Sequence, residues 1–358
     1  MKKICLIGQF PPPIHGLSKA LDTIIKSDYL NRKYKMNIVD IKSNKLVLKH
    51  RQQIKNSQAD IYYITISQSK LGNLRDMFLL KSILKKKKKV IVHYHGGYYK
   101  DLYKSFNKFQ KRLNRKILGQ IDVMIALSES LKYLFNDVID LKRIRVCENF
   151  VEDTSLISEK EFEKKVQNIN NSMEKLEVIY LSNFIESKGY KDVLNAIVEL
   201  KKYNVLFHFA GAFFSKEDEE EFFKFIDDND LRNYISYHGV VKSEEKRKLL
   251  FQSDIFILPT YYPKEGQPIS IIEAMGNGLS IITTKHAGIP DIVSEKNGIL
   301  VTPKSPSEIV EAIKRLSDRE ILIKIAKENR LKSLKKFKEE HYIKRLDEIF
   351  EEVIQDEN

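Results

Sequence analysis

Short, nearly unbroken runs of apolar residues recur along the chain, and they constrain its fold more than any other feature. In the first 150 residues they are Ile4 to Ile7, Met36 to Ile41, Ile61 to Ile66, Val90 to His93, Val123 to Ala126 and Ile144 to Cys147, with helical patterns such as Leu17 to Lys26 between them. A run without polar alternation has no face to offer water, so such strands fit a parallel sheet covered by helices on both sides. Val178 to Leu181, Leu206 to Gly211, Ile235 to His238, Ile255 to Leu258 and Ser280 to Thr283 repeat the scheme. With 358 residues and 42% hydrophobic content, the chain can bury two cores of this kind. The expectation is an α/β chain of two doubly wound parallel-sheet domains, residues 1–172 and 173–335, with a helix at 336–358 packing back toward the first domain. The boundary near residue 172 is set by the polar, acidic stretch 152–175, which reads as an exposed connection. The tail from Arg319 to Glu357 reads as two amphipathic helices, and no repeat of 20 to 50 residues is evident.

Open parallel sheets bind ligands beyond the carboxyl ends of their strands, so chemistry is expected in the loops that follow them. After the first strand comes Gln9-Phe10-Pro11-Pro12-Pro13-Ile14-His15-Gly16, a rigid turn with a single Gly at a helix start. It lacks the G-x-G-x-x-G fingerprint, which disfavours a dinucleotide dehydrogenase. Tyr94-His95-Gly96-Gly97 places a histidine beside flexible backbone, and Asn183-Phe184-Ile185-Glu186-Ser187-Lys188-Gly189 brings in a cation. A small-residue turn ends at Gly211, and Pro259-Thr260-Tyr261-Tyr262 leads into Glu265.

The segment from Glu265 to Asp291 carries the sharpest functional signal. Glu265 and Glu273 are separated by Gly266-Gln267-Pro268 and the apolar run from Ile269, which reads as a loop feeding the first turns of a helix. Loop amides and the positive end of a helix can hold a diphosphate, while each carboxylate can accept hydrogen bonds from vicinal sugar hydroxyls. Glu320/Glu328 and Glu340/Glu348 have the same interval by accident, on charged helix faces. Glu273 differs because Ile271, Ile272, Ala274 and Met275 surround it, a setting costly for a carboxylate without a partner.

Charge is unevenly divided. Residues 1–150 hold 31 Lys and Arg against 11 Asp and Glu, or +20, whereas the rest of the chain sums to −7. A basic half can attract nucleic acid, an anionic bilayer or phosphorylated small molecules. Lys85 to Lys89 precedes a strand and reads as a solvated run. In residues 100–117, Leu102, Phe106, Phe109, Leu113 and Ile117 form one helical stripe, with Lys108, Lys111, Arg112 and Arg115 among the cations on the other faces. That stripe packs on the sheet or meets an anionic membrane surface. Cys5 and Cys147 lie in expected strands without metal-ligand spacing, so reduced core cysteines are expected and a metal site is not. No apolar stretch of 18 residues occurs and no secretory signal opens the chain, so a cytoplasmic protein, peripheral on the inner face of the membrane, is expected.

The order of these loops resembles the retaining glycosyltransferases of family 4, whose GT-B fold has two Rossmann-like domains facing across a cleft. The resemblance spans nearly the whole chain and is most specific at Glu265 to Asp291, which is similar to the family's E-x7-E block. It implies that Glu273 binds the donor's ribose, Glu265 a hydroxyl of the transferred sugar, and Lys188 the diphosphate. Gly16, Asn183, Gly211, Gly266, Gln267, Pro268, Ile269 and Ser270 complete the implied donor site, and His95 lies near donor sugar and acceptor. His95, Lys188 and Glu265 are thus the candidate catalytic residues. No metal and no cofactor are implied, because a lysine and helix-terminal amides stand in for a cation at the leaving diphosphate. The family commonly has an Arg where this chain has Asn183, and two glycines where it has His15-Gly16. The implied partners are a nucleotide-sugar donor, in particular a UDP-sugar, and a saccharide acceptor, in particular a lipid-linked one for a bacterial capsule, O-antigen or exopolysaccharide. A sugar-nucleotide epimerase of the same fold is the nearest rival. A basic nucleic-acid-binding protein is the rival from another class, although no nucleic-acid reading motif accompanies the charge.

Overall fold

The computed structural model describes residues 1–12, 16–43, 46–171 and 175–355. The expected boundary near residue 172, and Pro13, Ile14 and His15 of the first loop, lie outside the described residues. The chain divides into two compact units. One comprises Met1–Asn149, Lys264–Gln267 and Glu339–Asn358, and the other Phe150–Pro263 and Pro268–Lys338.

In the N-terminal unit the strands are β1 (Lys2–Gly8), β2 (Tyr34–Asp40), β3 (Ile61–Thr65), β4 (Lys89–His93), β5 (Val123–Ala126) and β6 (Ile144–Val146). They form one sheet in the order β2-β1-β3-β4-β5-β6, with every pairing parallel. The strand order reverses at β1, so the loops after β1 and β3 flank the switch point where such sheets take ligands, and the loop after β4 is the next one along. Cys5 and Cys147 are free and buried in this core, and burial raises their thiol pKa values to about 11 and about 12. Neither is therefore a ready nucleophile.

The helix Glu339–Gln355 completes this unit rather than the one that precedes it in sequence. Its Phe350 ring meets Tyr34 edge-on at 5.7 Å. Its Asp347 accepts hydrogen bonds from the hydroxyls of Tyr29 and Tyr34, each at 2.8 Å, and from Lys33 at 2.6 Å. Burial alone would raise the Asp347 pKa, but these donors outweigh it and hold the carboxyl below the usual range.

Residues 100–117 do not form a single helix. They break into Tyr99–Lys104 and Lys108–Leu118, the second capped by Asn107. The expected stripe is split accordingly: Leu102, Phe106 and Ile117 are buried, while Phe109 is 70% exposed. What fixes the second helix is polar. Asn114 and Gln110 both donate side-chain hydrogen bonds to Asn73 Oδ1 at 2.9 Å, and the Tyr99 hydroxyl donates to Asn114 Oδ1 at 3.0 Å. A buried amide network of this kind specifies one docking geometry where an apolar stripe would tolerate several.

The C-terminal unit holds β7 (Leu176–Leu181), β8 (Val205–Ala210), β9 (Ile235–Tyr237), β10 (Ile255–Leu258), β11 (Ser280–Thr284) and β12 (Gly298–Val301), in the order β12-β11-β10-β7-β8-β9 and again all parallel. The switch point lies between β7 and β10. β12 has no counterpart among the apolar runs read from the sequence, because it opens on a glycine and its middle residues, Ile299 and Leu300, are only half-buried. A Cβ at Gly298 would sit 1.9 Å from the Ile281 carbonyl oxygen, so only glycine lets this edge strand close on β11.

The stretch expected to be an exposed connection is instead a helix, Glu159–Asn171, packed in the C-terminal unit. Phe162 and Ile169 are buried at helical spacing, and Lys165 is buried beside them. Its acidic residues had suggested exposure. The apolar positions, one per turn, decide the matter by giving the helix a face to bury.

Candidate functional site

The expected site residues fall into two groups, one in each unit. In the N-terminal unit His95 follows β4. Its ring stacks on His93 with centroids 3.9 Å apart and planes 30° apart, and its carbonyl accepts a hydrogen bond from Gln68 Nε2 at 3.0 Å. His93 is itself fully buried, with the Tyr63 hydroxyl 2.5 Å from its Nδ1. Burial, and then the neighbouring His95, hold its pKa well below the usual value, so His93 is a neutral platform under His95.

Glu265, Gly266 and Gln267 belong to the same unit as His95 and are buried. A Cβ on Gly266 would come within 2.9 Å of Gly96 Cα and 3.0 Å of Leu127 Cδ1, so the loop carrying Glu265 lies against the loop carrying His95. Gln267 is held by Asn149, whose backbone N–H donates to Oε1 at 2.7 Å and whose side-chain amide donates to the Gln267 carbonyl at 2.7 Å. Gln267 thus anchors the Glu265 loop. Gly16 is exposed and opens the helix Gly16–Lys26, ahead of which the loop lies outside the described residues.

In the C-terminal unit Lys188 ends the short 3-10 turn Glu186–Lys188 after β7 and holds its ammonium 5.0 Å from the centre of the Tyr262 ring. The loops after β7 and β10 are laced together there, because the Tyr261 N–H donates to the Ser187 carbonyl at 2.8 Å. Asn183 is exposed, and its carbonyl accepts from the Tyr180 hydroxyl at 3.2 Å. Gly211 is needed for close approach: a Cβ there would lie 1.9 Å from the Ser182 carbonyl oxygen.

Pro268 caps the helix Ile269–Gly276 without a side-chain hydrogen bond, so its first turn presents backbone N–H groups that no side chain at the cap takes up. Ile269 and Ser270 are half-buried at this end. One turn on, Glu273 is only 4% exposed. The sequence marked it as a carboxylate in need of a partner, and the fold supplies an internal one: Lys246 Nζ lies 2.6 Å from Glu273 Oε1. Lys246, Asn149, His93 and Tyr262 are the residues of these two groups that sequence reasoning missed. None had a local signal, since each is defined by a contact made across the fold. Among the described residues no three His, Cys, Asp or Glu side chains are grouped to hold a metal ion.

A model of the family Glycosyl transferases group 1 matches residues 161–338, which, apart from Lys264–Gln267, lie in the C-terminal unit. The chain is 27% identical over 288 residues to an uncharacterized glycosyltransferase of Methanocaldococcus jannaschii, covering 77% of the chain and 71% of that protein. It is also 27% identical over 147 residues to WcaL of Escherichia coli, a putative colanic acid biosynthesis glycosyltransferase, covering 40% of the chain and 36% of that protein.

The chain is a glycosyltransferase.

Its fold is that of GT-B glycosyltransferases, as structural comparison shows. The crystal structure of Anabaena HepE in complex with UDP superimposes with a TM-score of 0.77 over 98% of this glycosyltransferase and 100% of HepE, at 17% identity. At that identity the likeness speaks for the fold, with two parallel-sheet Rossmann-like domains, and not for the ligand. The segment of this glycosyltransferase matched by the family model contains Lys188, Gly211 and the whole stretch from Glu265 to Glu273. The Lys246–Glu273 pair lies within it as well.

Proposed function

We propose that the glycosyltransferase is a retaining enzyme that moves a sugar from a UDP-sugar to a saccharide acceptor carried on a lipid, in the assembly of a bacterial surface polysaccharide. The observation that carries the donor site is the helix Ile269–Gly276, whose uncapped first turn is followed by the buried carboxylate of Glu273. Backbone N–H groups at such an end favour a diphosphate, and a carboxylate one turn on suits the ribose diol. Lys188 supplies a cation beside the same switch-point loops. HepE has been crystallised with UDP and with UDP-glucose, which supports uridine as the base to test first. The part that WcaL's name gives it in colanic acid synthesis supports a polysaccharide product.

In this reading the acceptor hydroxyl oxygen bonds to the anomeric carbon from the face that the phosphate leaves. The bond from that carbon to the phosphate oxygen breaks, the diphosphate departs with the electron pair, and the acceptor's proton passes to the leaving oxygen. The helix-end amides and Lys188 stabilise the charge that develops there, so that no metal ion is required. Glu265 holds a sugar hydroxyl, and His95, fixed by its stack on His93, faces the sugar and acceptor. The reaction takes place in the cytoplasm, at the inner membrane surface. Binding of UDP-, GDP-, ADP- and CDP-sugars observed by ligand NMR in the presence of EDTA, on wild type and Glu273→Gln, tests the reading. Selective binding of one donor that the substitution weakens by about tenfold or more is expected; binding of none would overturn it.

A further inference from the structure

Lys246 leaves the pattern of its own helix. Ser243–Gln252 is rich in charge, and Glu244, Glu245 and Lys248 are exposed, while Arg247 pairs with Glu161 at 2.8 Å. The Lys246 side chain turns inward, is 16% exposed, and places its ammonium 2.6 Å from Glu273 Oε1. Ile271, Ile272, Ala274 and Met275, which flank Glu273 along its helix, are fully buried. A charge-assisted contact of this length fixes the carboxylate where the ammonium stands.

We infer that Lys246 is a positioning residue for ribose recognition: it holds Glu273 in one rotamer, and with it forms an ion pair that selects a vicinal diol. This rests on the reading of Glu273 as the ribose-binding carboxylate. The chemistry favours a diol because each hydroxyl is both donor and acceptor. A hydroxyl donating to a carboxylate oxygen can accept from the adjacent ammonium, and the second hydroxyl of the pair donates to the same carboxylate. A nucleoside lacking the 2′-hydroxyl leaves part of a buried ion pair unanswered, which costs affinity. A lysine that merely balanced a buried charge would contribute to stability but not to this discrimination.

The test is calorimetric. Wild type is titrated with UDP, GDP, ADP and CDP, and the tightest of these is then compared with its 2′-deoxy counterpart on wild type, Lys246→Met, Lys246→Arg and Lys246→Gln. Wild type is expected to prefer the ribonucleotide by roughly tenfold. Lys246→Met should reduce that preference toward unity and weaken ribonucleotide binding by about tenfold. Lys246→Arg should restore most of the preference. If Lys246→Met does not fold, Lys246→Gln carries the test, since it keeps a donor without the charge and should lose the same preference. A folded Lys246→Met or Lys246→Gln with wild-type affinity and preference would overturn the inference. Equal loss of ribo- and deoxyribonucleotide binding would overturn it too. Wild type that binds none of the four nucleotides would instead overturn the reading of the donor site itself.

Discussion

Asn149 and Gln267, 118 positions apart in the chain, are joined by two hydrogen bonds of 2.7 Å, backbone N–H to side-chain Oε1 and side-chain amide to backbone carbonyl. Both residues are buried, and Gln267 is two positions from Glu265. The loop that presents Glu265 is therefore clamped by a residue just past β6.

Asn149→Ala removes one of these bonds and leaves the Gln267 carbonyl short of a donor. We expect a loss of about 1–2 kcal/mol in stability. Steady-state kinetics should show poorer use of the sugar donor while bare nucleotide binding is retained. A variant with wild-type donor kinetics would show that the clamp does not serve the loop.

Glu265→Gln and Glu273→Gln should fail differently. The Glu273 substitution is expected to weaken binding of the bare nucleotide diphosphate by about tenfold or more, since it removes a charged acceptor. The Glu265 substitution should leave that binding within about twofold and lower transfer and sugar discrimination instead. Equal loss of nucleotide affinity in both would refute this division of roles.

Lys188→Met should be felt only where phosphates are present. Affinity for the nucleoside diphosphate should drop by about tenfold, while the weak affinity for the nucleoside alone stays the same. Paired titrations of the two ligands check this, and a parallel loss of both would indicate a general collapse of the loops joined at Ser187 and Tyr261.

Lys165 gives the C-terminal unit a pH dependence. It is buried, donates to the Leu250 carbonyl at 2.8 Å and the Asn277 carbonyl at 3.1 Å, and burial lowers its pKa to about 7 from 10.5. Between those values the unfolded chain binds a proton that the folded chain does not, so this residue's contribution makes stability rise as pH increases from about 7 toward 10.5. Thermal unfolding midpoints at pH 7, 8 and 9 should climb more steeply in wild type than in Lys165→Met. Identical slopes would refute the assignment.

The exposed Phe109, beside Lys108, Lys111 and Arg112, is proposed as the edge that meets an anionic bilayer. Sedimentation with vesicles containing phosphatidylglycerol at low salt should recover the wild type, and both Phe109→Ser and added salt should reduce recovery. Recovery unaffected by either change would remove the proposal.

Much of the fold is legible in the chain because a buried parallel strand needs only a local property, a short run with no polar face. Val123 to Ala126 and Ile255 to Leu258 appear in the structure with the bounds read from sequence. The failures share a cause. β12 is a strand by virtue of a neighbour, since its opening Gly298 matters only once Ile281 lies against it. Glu159–Asn171 looked exposed because its charge outnumbers its apolar positions, yet one buried residue per turn suffices to dock a helix. The break within residues 100–117 follows from an Asn107 cap and an amide network that reaches back to Asn73.

The same distinction governs the site. Sequence alone determined which residue types stand after which strands: Lys188 after β7, Glu265 after β10, and Glu273 inside an apolar helix. Tertiary structure alone decided their partners, since nothing in a row of lysines marks Lys246 as the one that turns toward Glu273, and nothing in Asn149 marks its hold on Gln267. A residue's propensity and polarity act over a few neighbours along the chain, whereas an ion pair or a buried hydrogen bond depends on which distant segments the packed cores bring within about 3 Å.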